Sequence, residues 1–314
     1  MALVTPTAAA VARENVQTRL TRRDRDVGGR VLLGVLLVAL LGTLLVLFTL
    51  LARIVTEAWP VVTGRGAGFL TDSMASTADN TGIWPGLYGS FFIGLGVIVV
   101  AIPLGVAAAI FLEEYATQSR FTQFVLVNIR NLAGVPAVIY GVLGLIIFVG
   151  WLRPATSGST VIAAALTLAV LVLPIVIITS SEAIRAVPQG LRDAGYGVGA
   201  SRWEVTRDHV LPYAAPGILT GTVLSLARAL GEAAPLIIIG AITGFLPTTS
   251  VDGKFTALPM LIYSWSGRPD TPGAELSWSN VAAAAGLVLL MLVLAFNAVA
   301  IVLRTRFENQ RVGT

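Results

Sequence analysis

AAPGILTGTVLSLARALGEAAPLIIIGAI, residues 214–242, is an otherwise apolar run that contains two charges, Arg228 and Glu232. A bilayer core of about 30 Å takes roughly 20 helical residues, so the run reads as a membrane span. A charge at the centre of such a helix costs about 2.5–3.5 kcal/mol on insertion scales, and a residue kept there is by default a functional-site candidate. The stretch therefore sets the fold class and also says where the chemistry is to be sought.

The rest of the chain agrees with the first half of that reading. Of its 314 residues, 55% are hydrophobic and 12% charged, and the mean hydropathy is +0.83. Soluble domains carry roughly a quarter charged residues. Six segments are long and apolar enough to span, near 31–55, 87–112, 132–151, 161–180, 214–242 and 281–303. An all-α, polytopic membrane protein with six transmembrane helices is expected. The first run is too long for a signal peptide and no small-x-small cleavage site follows it. The expected organisation is a tail (1–30), a first transmembrane helix (31–55), an extracytoplasmic loop (56–86), a five-helix transmembrane domain (87–303) and a second tail (304–314).

Basic residues set the orientation. Arg13, Arg19, Arg22, Arg23, Arg25 and Arg30 precede the first span. Arg120 and Arg130, then Arg185, Arg192, Arg202 and Arg207, then Arg304, Arg306 and Arg311 fall in alternate loops and the carboxyl tail. The intervening loops hold only Arg65, Arg153, Lys254 and Arg268. Six spans with both termini cytoplasmic fit every loop. The balance of charge thus speaks of topology and membrane lipid, not of nucleic acid. There is no cysteine and His209 is the only histidine, which excludes disulfides and thiolate chemistry, and no metal site or cofactor is expected. The 243–280 loop carries Pro247, Pro259, Trp265, Pro269, Pro272 and Trp278. Its aromatics suit interfacial anchoring, and Ala257–Trp265 is expected to form a short helix.

The 182–213 loop is more patterned than a connector needs to be. Pro188 suits a helix start and Gly197 and Gly199 suit its stop. Ser201 with Glu204 three residues later has capping-box spacing, and Leu211-Pro212 is expected to end this second helix. Asp193-Ala194-Gly195, then Gly199, then His209-Val210-Leu211-Pro212 resemble the loop motif of ABC importer permeases, which runs E-A-A, three residues, G, nine residues, I-x-L-P. Asp193, Gly195 and His209 depart from it. The resemblance implies that this loop, including Trp203, sits on an ATP-hydrolysing subunit and passes its closure to the membrane helices. A Walker loop needs G-x-x-x-x-G-K-[ST]. Around the only lysine, Lys254, the sequence offers Thr248 and Phe255 where a Gly and a Ser/Thr are required, so the chain reads as no enzyme in itself.

At about 100° per residue, Gly217, Gly221, Ser225, Arg228 and Glu232 fall within one stripe about 80° wide. Small residues allow close helix approach in a membrane, and the guanidinium fork suits oxyanions. The pair is open to two readings, an i,i+4 ion pair that neutralises itself or the lining of a translocation path. Further stretches are similar to the PstA-type permeases of phosphate ABC importers: IPLGVAAAIFLEEYA (102–116), NLAGVPAVIYGVLGL (131–145), LARALGEAAPLIIIGA (226–241), FTALPMLIYSWSGRP (255–269) and AIVLRTRFE (300–308). The resemblance implies a type I importer permease fold in a bacterial cytoplasmic membrane. It also implies a PstC-like second permease, a PstB-like ATPase dimer and a PstS-like phosphate-binding protein as partners, with Arg228 and Glu232 on the phosphate path. Glu113 and Glu114 read as solvated charges ending the second span. Asn131, Pro136, Tyr140 and Gly141 are open to a path role or to plain packing.

Three other readings remain to be weighed. A permease for sulfate or molybdate is compatible with the composition. An ion-coupled secondary transporter calls for further intramembrane acids and an inverted repeat, and neither is found. A membrane enzyme calls for a nucleophile, base or metal set at depth, and the run offers one Arg–Glu pair.

Overall fold

A computed structural model describes residues 27–117, 119–242 and 249–312. The expectations for residues 1–26 and for Pro247 and Thr248 lie outside these, as do those for the side chains beyond Arg306. The described residues are helical with no strand. In chain order the helices are α1 Val27–Arg65, α2 Ala67–Thr71, α3 Trp84–Ile110, α4 Arg120–Ala133, α5 Ala137–Gly144, α6 Arg153–Thr156 and α7 Val161–Arg185. There follow α8 Gln189–Gly197, α9 Arg202–Val205, α10 Leu211–Gly231, α11 Ala234–Ile238, α12 Leu258–Ser266 and α13 Trp278–Val312. Widened π turns extend α3 through Phe111–Tyr115 and α5 through Leu145–Trp151, and join α9 to α10 through Thr206–Val210.

The chain divides into two units, residues 1–53 and 54–314. In the first, the described part of α1 exposes apolar side chains on all sides, among them Leu32, Leu33, Leu36, Leu40 and Phe48. A helix that is apolar all round needs an apolar solvent. Its Thr43 and Thr49 hydroxyls donate to carbonyls of the preceding turn, at 2.9 Å to Ala39 and 2.8 Å to Val46.

In the second unit α7 is the central element, packed by α3 and α10. Small residues let these backbones close. A Cβ on Gly105 would stand 2.6 Å from Cγ1 of Val176, one on Gly96 2.6 Å from Cβ of Ala165, and one on Gly217 2.7 Å from Cβ of Ala183. Without a hydrophobic drive between helices in lipid, this close van der Waals approach is what associates them. One core joins Ile93, Val97, Leu168, Val172, Leu226, Leu230 and Leu236. A second gathers Ile83, Leu258, Leu261, Trp265 and Trp278, and a third Ile184, Val187, Val205, Val210 and Ile218 beneath the 182–213 loop.

Five helical runs are long and apolar enough to cross a membrane: Val27–Arg65, Trp84–Tyr115, Val161–Arg185, Arg202–Gly231 and Trp278–Arg306. Arg120–Ala133 and Ala137–Trp151, bent by 101°, make a sixth if counted as one span. The third expected span, 132–151, is therefore different in form. Pro136 lacks an N–H and pushes Val135 out of the helical region, so the helix restarts at Ala137, with the helical α4 ahead of the bend. The Ser119 hydroxyl accepts from the Thr122 N–H at 3.1 Å to start α4.

The fifth span also departs from expectation at both ends. Helix is continuous from Arg202 to Gly231, so Leu211-Pro212 terminates nothing. The widened turn just ahead of Pro212 absorbs its missing donor: the Leu211 N–H reaches the Thr206 carbonyl, five residues back. At the other end the helix stops at Gly231, and Glu232 is extended at φ −84°, ψ 111°. Pro235 would clash with the carbonyl four residues earlier, which is that of Gly231.

The expected helix at Ala257–Trp265 is present as α12. Its tryptophan does not anchor at an interface. Trp265 and Trp278 are each 1% exposed, with ring centroids 5.9 Å apart and Arg268 stacked on Trp278 at 4.3 Å. Trp84 and Trp151, at the ends of apolar helical runs, are exposed instead, a placement that suits an interfacial belt.

Candidate functional site

Arg228 lies in the last turn of α10 and Glu232 is the first residue beyond it. The Arg228 Nε is 3.7 Å from the Glu232 Oε1, and the two side chains are 43% and 27% exposed. That distance is an ion pair but too long for a hydrogen bond, and among the described residues the guanidinium makes none. Its side chain lies 43% exposed on the surface of the chain. The helix breaks after Gly231, so Glu232 reaches its i,i+4 partner from an extended residue and not from a further turn of α10.

The stripe expected to carry both small and charged residues is split. Gly217 and Arg228 are exposed, together with Tyr213, Thr220 and Leu224. Gly221 and Ser225 are buried. A Cβ on Gly221 would overlap Thr179 of α7, and the Ser225 hydroxyl donates back to the Gly221 carbonyl at 2.8 Å. The 80° sector thus straddles two environments, a packing seam on one side and an open face on the other.

Of the weaker candidates, Gly141 packs on the helix that follows the pair, and Tyr140 is the one that comes near Arg228. Gly141 abuts Pro235 and Ile238 of α11. The Tyr140 hydroxyl donates to the Leu132 carbonyl at 2.7 Å and lies within electrostatic reach of Arg228. Pro136 starts α5 at its cap, and Asn131 is exposed.

The 182–213 loop folds as α8 and α9, with Pro188 at the cap of α8. Gly199 follows with φ +85°, a left-handed conformation that costs glycine nothing. The capping box forms in full: the Glu204 N–H donates to the Ser201 hydroxyl at 3.4 Å, and the Ser201 N–H to the Glu204 Oε2 at 2.8 Å. Asp193, Ala194, Trp203 and Pro212 are exposed, Leu211 is partly buried and Gly195 is buried. Tyr196, Val198 and Trp203 present an apolar knuckle, with Val198 85% exposed. Two departures from the E-A-A motif touch each other. A Cβ on Gly195 would stand 3.3 Å from Cδ2 of His209 and 2.8 Å from Cγ2 of Val205, so the smaller residue makes space for the larger ring.

Glu113 and Glu114 are not solvated charges. Glu113 Oε1 accepts from Arg185 Nη2 at 2.7 Å, and Glu114 Oε1 accepts from Arg192 Nη2 at 2.8 Å. The sequence hides these pairs because the partners lie 72 and 78 residues away. The one signal was an acidic pair at a helix end facing an arginine-rich loop.

Residues 101–311 match the family model described as the binding-protein-dependent transport system inner membrane component. The chain is 32% identical over 269 residues to the phosphate transport system permease protein PstA 1 of Mycobacterium tuberculosis (strain CDC 1551 / Oshkosh), covering 83% of each. It is 29% identical to the phosphate transport system permease protein PstA of Haemophilus influenzae, covering 87% of this chain and 92% of that one. It also superposes on a chain of a bacterial alginate ABC transporter, solved in complex with an alginate pentasaccharide-bound periplasmic protein, with TM-score 0.60 at 17% identity. That match covers 86% of this chain and 92% of the other. The fold is that of ABC importer permeases, and the chain belongs to the binding-protein-dependent transport system inner membrane component family.

Proposed function

We propose that this chain is the permease subunit through which an ATP-driven importer passes inorganic phosphate across a bacterial cytoplasmic membrane. Arg228 receives the anion and Glu232 holds Arg228 when the path is empty. The observation that carries this is the guanidinium, 43% exposed at the broken end of α10 and 3.7 Å from its carboxylate. An exposed cation at membrane depth calls for a partner or a water-filled path, and its planar fork matches a tetrahedral oxyanion. The names of the two PstA relatives favour phosphate. The second permease, the ATPase pair and an extracytoplasmic phosphate-binding protein complete the machine. ATP is hydrolysed in another chain that grips Asp193, Ala194 and the Tyr196–Trp203 knuckle, and both termini are cytoplasmic.

The test is phosphate uptake by the complex in proteoliposomes. Arg228→Gln removes the charge and keeps the side chain polar; uptake is expected to fall to near background while the subunits still co-purify. Wild-type uptake from this variant overturns the path assignment.

A further inference from the structure

Three consecutive residues at the end of α3 each hold a different arginine of the 182–213 loop or its approach. Glu113 takes Arg185, with contacts of 2.7 and 3.3 Å. Glu114 takes Arg192, whose Nε and Nη2 stand 3.2 and 2.8 Å from a single carboxylate oxygen. The ring of Tyr115 lies 5.3 Å from the Arg202 guanidinium. All three sit in the π turn Phe111–Tyr115, and their partners Arg185, Arg192 and Arg202 lie on α7, α8 and α9. Around these charges lies a polar cleft of about 510 Å³, lined also by Val187, Gln189 and Tyr196.

The three contacts differ in weight. Arg185 is 57% exposed, and exposed pairs contribute little. Glu114 is 5% and Arg192 12% exposed. Removing one member of a buried pair strands the other charge without solvent, a large penalty. The Arg192 guanidinium also donates to the Val187 carbonyl at 2.7 Å and the Ile184 carbonyl at 3.0 Å, tying off the end of α7 in the same stroke.

We propose that Glu114 is a positioning residue for transport: its buried pair with Arg192 fastens the 182–213 loop to the second span, so that loop and span end move as one body when the ATPase closes. The inference rests on the proposed function for what drives the loop. The loop already runs into the fifth span through the unbroken helix from Arg202 to Gly231. Glu114 supplies the second attachment, so one displacement reaches both spans.

The complex, reconstituted with its ATPase, tests this in Glu114→Gln. Phosphate imported per ATP is expected to fall about tenfold, because a stranded buried charge loosens the joint, while hydrolysis and co-purification persist and Glu114→Asp recovers part of the ratio. An unchanged ratio overturns the proposal. A second measurement does not depend on that variant. The chain has no cysteine, so spin labels at Thr117→Cys and Val198→Cys report one distance in a complex whose other subunits are cysteine-free. That distance is expected to be the same with and without ATP, and a nucleotide-dependent change overturns the rigid joint. Should the unmutated complex import no phosphate, the proposed function falls, while the label distance still decides the joint.

Discussion

Gly141 makes room for Pro235: a Cβ on the glycine would stand 2.8 Å from the proline Cα and 3.0 Å from Cδ1 of Ile238. The third span thereby seats directly on the short helix that follows the break at Glu232. Gly141→Val is expected to separate α5 from α11 and to lower stability by about 1–3 kcal/mol, the usual cost of overpacking. A thermal-unfolding midpoint of the purified complex equal to wild type would contradict this.

The seam between α7 and α10 predicts a contrast between two glycines. Gly221→Ala drives a methyl into Thr179, whereas nothing lies within 4 Å of a Cβ on Gly190. The first is expected to destabilise by about 1–3 kcal/mol. The second is expected to be neutral or to stabilise by up to about 1 kcal/mol, by restricting the unfolded chain. Equal shifts in thermal stability would show that the seam is not closed as described.

On the proposed phosphate path, Glu232 is expected to bear on which anion passes. Phosphate near neutral pH still carries a proton that it can donate to a carboxylate, whereas sulfate carries none. Glu232→Gln is expected to weaken discrimination between them, read as sulfate competition against labelled phosphate uptake. Unchanged competition would remove Glu232 from selectivity and leave Arg228 as the anion's contact.

The cap at Ser201 is expected to contribute locally. Ser201→Ala removes both the acceptor for the Glu204 N–H and the hydroxyl that donates to Glu204 Oε2 at 2.7 Å. Loss of such a cap costs about 1 kcal/mol. Hydrogen exchange across residues 202–205 should accelerate by roughly fivefold on that basis, and unaltered protection would show that the turn is held by the packing of Val205 alone.

Much of this architecture could be read from composition because the bilayer imposes it. A run such as 161–180 has few alternatives to a buried helix, and Arg228 stood out because an apolar run has no other use for a cation. Pro136 and Pro235 were visible as irregularities. Their outcomes, a bend between two helices and a stop at Gly231, depend on which neighbours fill the break. Trp265 and Trp278 misled because an amphipathic ring suits an interface and a core equally well; only the apposition of α12 and α13 decides between them. Glu114 misled for the opposite reason. Its partner is distant in sequence, and a carboxylate at a helix end looks the same whether water or an arginine lies beyond it.

The unbroken helix from Arg202 to Gly231 has a screw phase as well as a length. Trp203 and Arg228 are about 37 Å apart along it at 1.5 Å per residue. The widened turn at Thr206–Val210 sets the azimuth at which Arg228 stands. Take one residue out of that turn and the helix regains a regular pitch, yet everything past it swings by about 100°. Arg228 then leaves the open face for the α7 side or the opposite flank. A local irregularity near one end of the rod is thus what aims the charge near the other.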